Sequence, residues 1–330
     1  MGARSNLANT VKDIYRARKN ISEIACRTPL VPAWSLSDRS RDVQLKLEIA
    51  QPTGAFKLRG AANALLNLPA EQAVNGVVCV STGNHGRAVA YAAKRSDIPA
   101  YVCMSTLAPK NKIESIESLG GTVRIVGDSQ DEAQQEVDRL VHEDGMIEIP
   151  PFDNVDVIAG QGTIGIELVE ENPKIDTVIV PMSGGGLISG VALAIKTLAP
   201  NTRVIGLSME NGAAMYESIR RGHPVEVEES LSLADSLGGG VGLSNQYTFG
   251  MVRDLVDEVR TVSESKIAEA MRYLYQHEGW VAEGGGAIGL VPLLQDLDLP
   301  LGTHITVVIS GKNVDMDIFA RVMNGEVPYS

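Results

Sequence analysis

Short apolar runs rich in β-branched residues alternate with helical patterns along nearly the whole chain, and this alternation limits the fold most strongly. Such alternation is typical of parallel α/β architecture, in which helices cover the faces of a sheet. Residues 265–277 illustrate the helical pattern, because Ile267, Met271 and Leu274 recur at helical spacing and Gly279 follows. We therefore predict an α/β fold with mostly parallel strands.

Three of the apolar runs end in a serine that has glycine close behind it. They are residues 77–80 before Ser81, 177–182 before Ser183 and 305–309 before Ser310. In open α/β sheets, ligands bind outside the carboxyl ends of the strands. A single serine of this kind is commonly a helix cap next to a tight turn. Three of them favour one shared ligand site.

Length and composition favour an enzyme that acts on a small molecule. The 330 residues suffice for two domains. A formal charge of −12 disfavours nucleic acid and anionic membranes as partners. No run approaches the roughly 18 apolar residues of a membrane span, and residues 1–18 lack the apolar core of a signal peptide. We expect a cytoplasmic protein.

The segment from Ser183 to Leu187 contains three successive glycines between a strand and a helix pattern. Backbone N–H groups without neighbouring Cβ atoms can approach an anion closely, and the helix dipole adds positive potential there. The segment matches neither the ATP-type phosphate loop nor the dinucleotide pattern, which favours a single phosphate. From the residues alone, phosphate binding and a simple turn are equally compatible with this motif.

The segment from Ser81 to Gly86 offers hydroxyls, the Asn84 amide and N–H groups at the start of a helix. Such groups can bind a substrate carboxylate, while Asn84 donates to a phenolate or carbonyl oxygen. His85 could act as a general base, but a histidine beside a glycine turn is more often structural. We therefore leave His85 out of the catalytic set.

Lys57 lies between Gly54 and Gly60 and directly follows Phe56. A lysine among apolar neighbours has a lowered pKa, and its neutral amine can form a Schiff base. The alternative is a partly exposed lysine at the start of a helix. A phosphate cradle, a carboxylate cradle and a reactive amine together match pyridoxal 5′-phosphate. Ser310 is then a candidate partner for the pyridine nitrogen, and a hydroxyl there leaves that nitrogen neutral.

A series of motifs in this order resembles the fold type II pyridoxal-phosphate enzymes, specifically the threonine dehydratase and serine racemase group. The resemblance extends from Ile21 to Asp315. The motifs are residues 51–57, 81–86, 108–121, 151–153, 160–163, 183–187, 283–287 and 310–313. The resemblance implies two open, twisted, mostly parallel sheets flanked by helices, as in the tryptophan synthase β type.

The resemblance also assigns roles to individual residues around the cofactor and the substrate. The cofactor residues are Lys57 for the Schiff base, Phe56 beside the ring, Asn84 for the phenolic oxygen, Gly184, Gly185, Gly186 and Leu187 for the phosphate, Ser310 for the ring nitrogen and Glu283 nearby. The substrate-carboxylate loop comprises Ser81, Thr82, Gly83 and His85. Lys57, Ser81 and Thr82 form the catalytic set, with Lys57 removing the α-proton before the β-hydroxyl leaves.

In relatives of this type, a small mobile domain is inserted in a larger one that binds the cofactor. The resemblance places the small domain at residues 52–146 and the large domain at residues 1–51 and 147–330, with the site in the cleft between them. It also implies a homodimer. We expect no metal, because Ser208 and Ala214 stand where many relatives have acidic ligands. Thr82 replaces the serine of racemases, so we expect little racemisation.

The segment from Leu233 to Leu243 resembles dehydratases of hydroxyectoine utilisation. We therefore predict a dehydratase or ammonia-lyase that eliminates water from a β-hydroxy amino acid in the degradation of this compatible solute. Arg59, Lys312 and Asn245 are possible contacts for a second polar group of the substrate, although each could equally be an ion-paired or solvated surface residue. Dehydration of threonine, serine or 3-hydroxyaspartate, β-replacement of the cysteine-synthase type and a non-catalytic cofactor-binding regulator are the alternatives.

Overall fold

The computed structural model describes residues 9–295 and 297–329. The helices are α1 (Val11–Asn20), α2 (Lys57–Leu66), α3 (Ala70–Ala73), α4 (Asn84–Arg95), α5 (Lys110–Ser118), α6 (Gln130–Asp144), α7 (Val155–Glu171), α8 (Gly186–Leu198), α9 (Ala214–Arg221), α10 (Thr248–Leu255), α11 (Glu264–Glu278), α12 (Gly284–Ala287), α13 (Val291–Leu294) and α14 (Met316–Met323). The strands are β1 (Leu30–Pro32), β2 (Asp42–Leu47), β3 (Val77–Val80), β4 (Ala100–Met104), β5 (Thr122–Ile125), β6 (Ile147–Glu148), β7 (Thr177–Pro181), β8 (Arg203–Met209), β9 (Glu258–Val262) and β10 (His304–Ile309). No helix in these ranges has both the length and the apolar character needed to cross a membrane.

The larger sheet has six strands in the order β1-β2-β10-β7-β8-β9. All of its neighbouring pairs are parallel except β1 with β2. Every residue of β7 is buried, as expected for a strand covered by helices on both faces. The smaller sheet, β5-β4-β3-β6, is entirely parallel. The predicted α/β fold with two mostly parallel sheets is confirmed.

The two faces of the smaller sheet pack against different helices. Val102 and Cys79 lie in a cluster with the alanines of α4, whereas Val78 and Cys103 pack against α6. Helix α2 packs against α4 on one side and against α7 on the other. The domain boundaries at residues 52 and 146 stay predictions.

Helices α7 and α8 approach each other closely because glycines line their contact. A Cβ atom on Gly190 would lie 2.3 Å from the carbonyl oxygen of Ile158. A Cβ atom on Gly165 would lie 2.7 Å from the Cβ of Ala194. No side chain fits at those distances, so the pair depends on glycine. This packing holds the N-terminus of α8 at the carboxyl end of β7.

The three strands that end in serine belong to different sheets. Strand β3 lies in the smaller sheet, while β7 and β10 are neighbours in the larger one. Their loops nevertheless meet, because Asn313 after β10 donates from Nδ2 to Asn84 Oδ1 after β3, at 2.6 Å. The candidate site therefore lies where the carboxyl ends of both sheets face each other.

Candidate active site

Lys57 is the first residue of α2, and its side chain is partly buried. Its Nζ donates to the carbonyl oxygen of Pro151 at 2.7 Å and lies 5.4 Å from the centroid of the Phe56 ring. Burial lowers the pKa of Lys57 to about 8, although the nearby Glu283 carboxylate acts in the opposite direction. A substantial fraction of this amine is therefore neutral near physiological pH.

Main-chain hydrogen bonds tie the segment before Lys57 to the loop after β10. Phe56 N donates to Ser310 O at 3.0 Å, and Lys312 N donates to Gly54 O at 2.9 Å. Ala55 and Gly311 form an isolated antiparallel bridge between them. The Asn313 side chain adds a further link, because its Nδ2 donates to Thr53 O at 2.9 Å. These bonds together set the separation between Lys57 and Ser310.

The glycine loop before α8 leaves no room for side chains. A Cβ atom on Gly184 would lie 2.5 Å from ring atoms of Phe152, and one on Gly186 would lie 2.9 Å from the Cα of Phe152. Gly185 has a φ of +90°, which favours glycine. The first-turn amides of a helix have no acceptor within it, so this end of α8 presents N–H groups suited to an anion.

Asn84 and Glu283 belong to a chain of polar side chains at the cleft. Asn84 Nδ2 donates to Glu283 Oε1 at 2.8 Å, and Arg87 Nη1 donates to Asn313 Oδ1 at 2.8 Å. Asn313 links the two pairs through its bond to Asn84. Burial raises the pKa of Glu283 to about 7, and the carboxylate of Asp235 adds to that increase.

Arg87 and Asp235 were not among the predicted site residues. Asp235 does lie in the segment 233–243, but nothing in the sequence signals that either side chain lies near Asn84 or Glu283, because Arg87 bonds to Asn313, which is distant in the chain, and Asp235 acts on Glu283 through space. Asn313 does lie within the predicted motif at residues 310–313, but it was not assigned a role. The structure thus identifies two charged side chains near Asn84 and Glu283 that the sequence does not predict.

The loop from Ser81 to Gly83 connects β3 to α4. Ser81, Thr82 and Gly83 are partly exposed, and Gly83 N donates to Ser81 Oγ at 3.2 Å. His85 differs, because its ring is buried with Nε2 2.7 Å from the carbonyl oxygen of Ile149. Burial lowers the pKa of His85 to about 3. Its imidazole is therefore neutral and engaged in the interior, which leaves its backbone N–H for the predicted carboxylate site.

Ser310 is buried at the end of β10, and its hydroxyl donates to Gly285 O at 3.3 Å. Two of the predicted contacts for a second polar substrate group lie elsewhere. Arg59 is buried and bonded to Glu48 and Glu167, and Asn245 donates to Val241 O at 2.9 Å. Both side chains are occupied within the protein, so for these two residues the alternative to substrate contact applies, with Arg59 ion-paired in the interior and not at the surface. The third candidate, Lys312, is exposed.

A family model described as pyridoxal-phosphate dependent enzyme matches residues 21–311. The chain belongs to this family. A protein of Sinorhizobium fredii, provisionally named a threonine dehydratase, is 51% identical over 99% of this chain and 98% of its own. The L-threonine ammonia-lyase of Thermotoga maritima is 40% identical over 96% of this chain and 78% of its own. The structure of maize serine racemase superimposes with a TM-score of 0.89, at 35% identity, covering 96% of this chain and 97% of that one.

This pyridoxal-phosphate dependent enzyme therefore uses pyridoxal 5′-phosphate and is similar to threonine dehydratases and ammonia-lyases. Two observations fit that cofactor. The loop at Gly184–Gly186 at the start of α8 is free of side chains because Phe152 packs closely against it, and Lys57 has a lowered pKa. The assignment of single residues to parts of the cofactor stays a prediction.

The described residues contain no group of three or more His, Cys, Asp or Glu side chains that could hold a metal ion. Ser208 and Ala214 are both buried. The expectation that the enzyme needs no metal is left to experiment.

Proposed function

We propose that this enzyme eliminates water from a β-hydroxy amino acid, with release of ammonia, and that its substrate arises in hydroxyectoine degradation. The observation that supports this reaction best is the low-pKa amine of Lys57 together with a buried hydroxyl, rather than a carboxylate, at Ser310. Pyridoxal phosphate, when bound, supplies the electron sink for the substrate's α-carbon. A neutral ring nitrogen weakens that sink and favours prompt loss of a β-leaving group over a long-lived carbanion.

In this proposal each group of residues at the site has a separate role in proton transfer, substrate binding or cofactor binding. The Lys57 amine accepts the α-proton, for which its pKa of about 8 is well matched. The hydroxyls of Ser81 and Thr82 and the N–H groups of Gly83 and His85 bind the substrate carboxylate. Residues 184–187 hold the cofactor phosphate, Asn84 donates to its phenolic oxygen, Ser310 faces its ring nitrogen, and Phe56 packs beside the ring.

The charge around Glu283 supports a substrate with a second amine. Burial, and after it the carboxylate of Asp235, raises the pKa of Glu283, so further negative charge there is unfavourable. An ammonium group on the side chain of a β-hydroxylated diamino acid would instead be stabilised. Asp235 lies in the segment 233–243, whose resemblance to hydroxyectoine-pathway dehydratases suggested that substrate class.

Arg87 favours a second candidate, dehydration of 3-hydroxyaspartate. Its partly buried guanidinium donates from Nη1 to Asn313, and its remaining N–H groups could pair with a second substrate carboxylate. Threonine and serine, which carry no second charge, would gain from neither Asp235 nor Arg87. The charge of the side chain thus separates the candidate substrates.

A panel of substrates tests the proposal. The enzyme is incubated with threonine, serine, threo-3-hydroxyaspartate and 2,4-diamino-3-hydroxybutyrate, and ketoacid and ammonia are measured, with Lys57→Ala as the blank. We expect the highest kcat/KM for the diamino acid and a selective loss of that preference in Asp235→Asn. Activity confined to threonine and serine would contradict the hydroxyectoine assignment.

Two further outcomes of the panel would reveal a protein of a different class. Turnover that appears only when sulfide is added would indicate β-replacement. Cofactor binding without ammonia from any substrate would indicate a non-catalytic regulator. We also propose that the enzyme is a cytoplasmic homodimer, as its resemblance to the threonine dehydratase group implies.

A further inference from the structure

Arg59 is a fully buried arginine on the same helix as Lys57. Its guanidinium donates from Nε and Nη2 to Glu48, at 2.8 Å each. It also donates from Nη1 and Nη2 to Glu167, at 2.6 and 2.9 Å. Nη1 has a further partner in the hydroxyl of Thr163 at 3.0 Å. All five N–H donors of the guanidinium can thus be satisfied.

The partners of Arg59 lie on separate elements. Glu48 follows β2 and Glu167 lies on α7, and both are buried with exposed fractions of 0% and 3%. Lys46, also buried, donates to Thr28 O at 2.7 Å and pairs with Glu167 at 2.8 Å. One guanidinium therefore joins α2 to the large sheet and to α7.

The backbones of α2 and α7 also approach each other at this point. A Cβ atom on Gly160 would lie 2.5 Å from the carbonyl oxygen of Arg59. The same Cβ atom would lie 2.7 Å from the Cα of Gly60. The close contact leaves little freedom for α2 to slide or rotate relative to α7.

The side chains of Lys57 and Arg59 point in nearly opposite directions from α2, and this links the buried ion pairs of Arg59 to the position of Lys57. Residues two apart in sequence are separated by about 200° around the helix axis, so their side chains lie on nearly opposite faces. Lys57 therefore faces the cleft, where it reaches Pro151 O, while Arg59 points into the interior. A buried ionic network is weak evidence for stability, since apolar replacements are often equally stable. The directional bonds of such a network can nevertheless fix the position of α2 relative to α7 and to the larger sheet.

We infer that Arg59 is a positioning residue that holds the first turn of α2, and with it the Lys57 amine, at its place in the cleft. Lysine cannot replace it, because an ammonium group has three donors and no planar fork for two carboxylates. This inference concerns the placement of Lys57 and is independent of which substrate the enzyme uses.

The test compares Arg59→Lys with Arg27→Met. Arg27 also pairs with a glutamate of α7, Glu171, but its side chain is 52% exposed, so its loss is a matched control. The first readout uses the apoenzyme. Lys57 is labelled by reductive methylation across a pH series and quantified by peptide mass spectrometry. We expect the midpoint in Arg59→Lys to rise from about 8 toward the roughly 10.4 of a free lysine.

The second readout is turnover of the best substrate of the panel above. We expect kcat of Arg59→Lys to fall at least tenfold while KM changes less than twofold, and Arg27→Met to match the wild type in both readouts. Labelling does not require any substrate, so failure of the proposed function leaves this result interpretable.

Three results would overturn the inference. One is an Arg59→Lys enzyme with a lower Tm but wild-type kcat and labelling midpoint, which would make Arg59 purely structural. Another is a change in the labelling midpoint and kcat of Arg27→Met as large as that in Arg59→Lys.

The third result applies if Arg59→Lys does not fold. Glu167→Gln then replaces it, because this substitution keeps the shape of the partner side chain and removes its charge. A shifted midpoint in that variant supports the inference, and an unshifted one overturns it.

Discussion

At the scale of single residues, the chemistry depends on how the surroundings divide similar side chains between different tasks. Lys57 and Lys46 are both lysines near the interior, yet Lys46 is paired with Glu167 whereas Lys57 Nζ bonds to a carbonyl oxygen. Burial without a directly bonded carboxylate lowers the pKa of Lys57 to about 8. Environment, rather than residue type, therefore makes Lys57 the proposed reactive amine.

Replacing Lys57 by alanine should remove covalent attachment of the cofactor and ammonia release together. The wild type, reduced with borohydride, should yield a pyridoxylated peptide that contains residue 57, and the variant should not. Loss of a catalytic base typically lowers rates by about 10²–10⁴-fold. A Lys57→Ala enzyme that turns over substrate at the wild-type rate would contradict the proposed mechanism.

Glu283 should influence the protonation of Lys57 directly. Its carboxylate raises the pKa of Lys57 against the larger effect of burial. Glu283→Gln removes that charge, so the pH midpoint for covalent capture of pyridoxal phosphate by the apoenzyme should move below about 8. Glu143→Gln, at an exposed carboxylate, serves as the control. An upward shift in Glu283→Gln would show that the two groups do not interact as described.

His85 should make the fold sensitive to acid. Its folded pKa of about 3 lies below the usual 6.5, so the unfolded chain binds a proton that the folded protein does not. The free energy of unfolding should therefore fall as pH drops below 6.5, by about 2 kcal/mol at pH 5 from this group. In His85→Gln the difference in stability between pH 7 and pH 5 should shrink, as measured by urea unfolding. An unchanged difference would mean that other groups dominate.

At the scale of helices and strands, the glycine loop before α8 combines several requirements in consecutive residues. Gly184 and Gly186 make room for Phe152, and Gly185 supplies the left-handed turn. The adjacent Asp153 accepts bonds from the amides of residues 246–248 and so fixes the start of α10. Phe152 is therefore held in place behind the loop.

Gly184→Ala should weaken cofactor binding. The added methyl would lie 2.5 Å from the Phe152 ring, and overpacking of this kind costs about 1–3 kcal/mol. We expect the dissociation constant for pyridoxal phosphate to rise by about tenfold or more. Gly250→Ala on α10 is the control, because no atom lies within 4 Å of its added Cβ. Equal affinity in the two variants would exclude a tight cradle at residue 184.

Much of the secondary structure could be predicted from the sequence, because the spacing of apolar residues and the residues that end helices and strands are features of short segments. The helix predicted at residues 265–277 spans Glu264–Glu278, and the run at residues 305–309 lies within β10. The site residues missed or misplaced depend on distant partners. Arg59 looks like a surface residue until Glu48 and Glu167 are brought beside it, and Glu167 is more than a hundred positions away. Side-chain pairing of that range has no local signature.

At the scale of the whole molecule, the loops that follow β3 of the smaller sheet and β10 of the larger one meet at the candidate site. Helix α5, which packs on the smaller sheet, makes further contacts with the rest of the chain. Lys112 Nζ lies 3.6 Å from Asp235 Oδ2, and Asn111 Nδ2 donates to Asp315 Oδ2 at 3.4 Å. These contacts are exposed and individually weak. They would resist the predicted movement of the small domain only weakly.

The proposed homodimer is a property of the whole molecule and is directly measurable. Sedimentation equilibrium of the holoenzyme should give twice the chain mass of 35.2 kDa, without dependence on protein concentration in the micromolar range. Trp34, with an exposed fraction of 78%, offers a second measurement, since burial in an interface would shift its fluorescence to shorter wavelength. A single-chain mass at all concentrations would contradict the dimer.

The backbone bonds between residues 54–56 and 310–312 have a consequence for the evolution of specificity. Main-chain bonds and the Asn313 side chain together set the distance between Lys57 and Ser310. Mutations at positions that do not contact Asn313 can therefore accumulate without disturbing this spacing. A lineage can therefore exchange Asp235 for other residues and explore new substrates at smaller risk to the chemistry than an exchange of Arg87, which bonds to Asn313. A mutational library confined to such positions should retain cofactor attachment in most of its members.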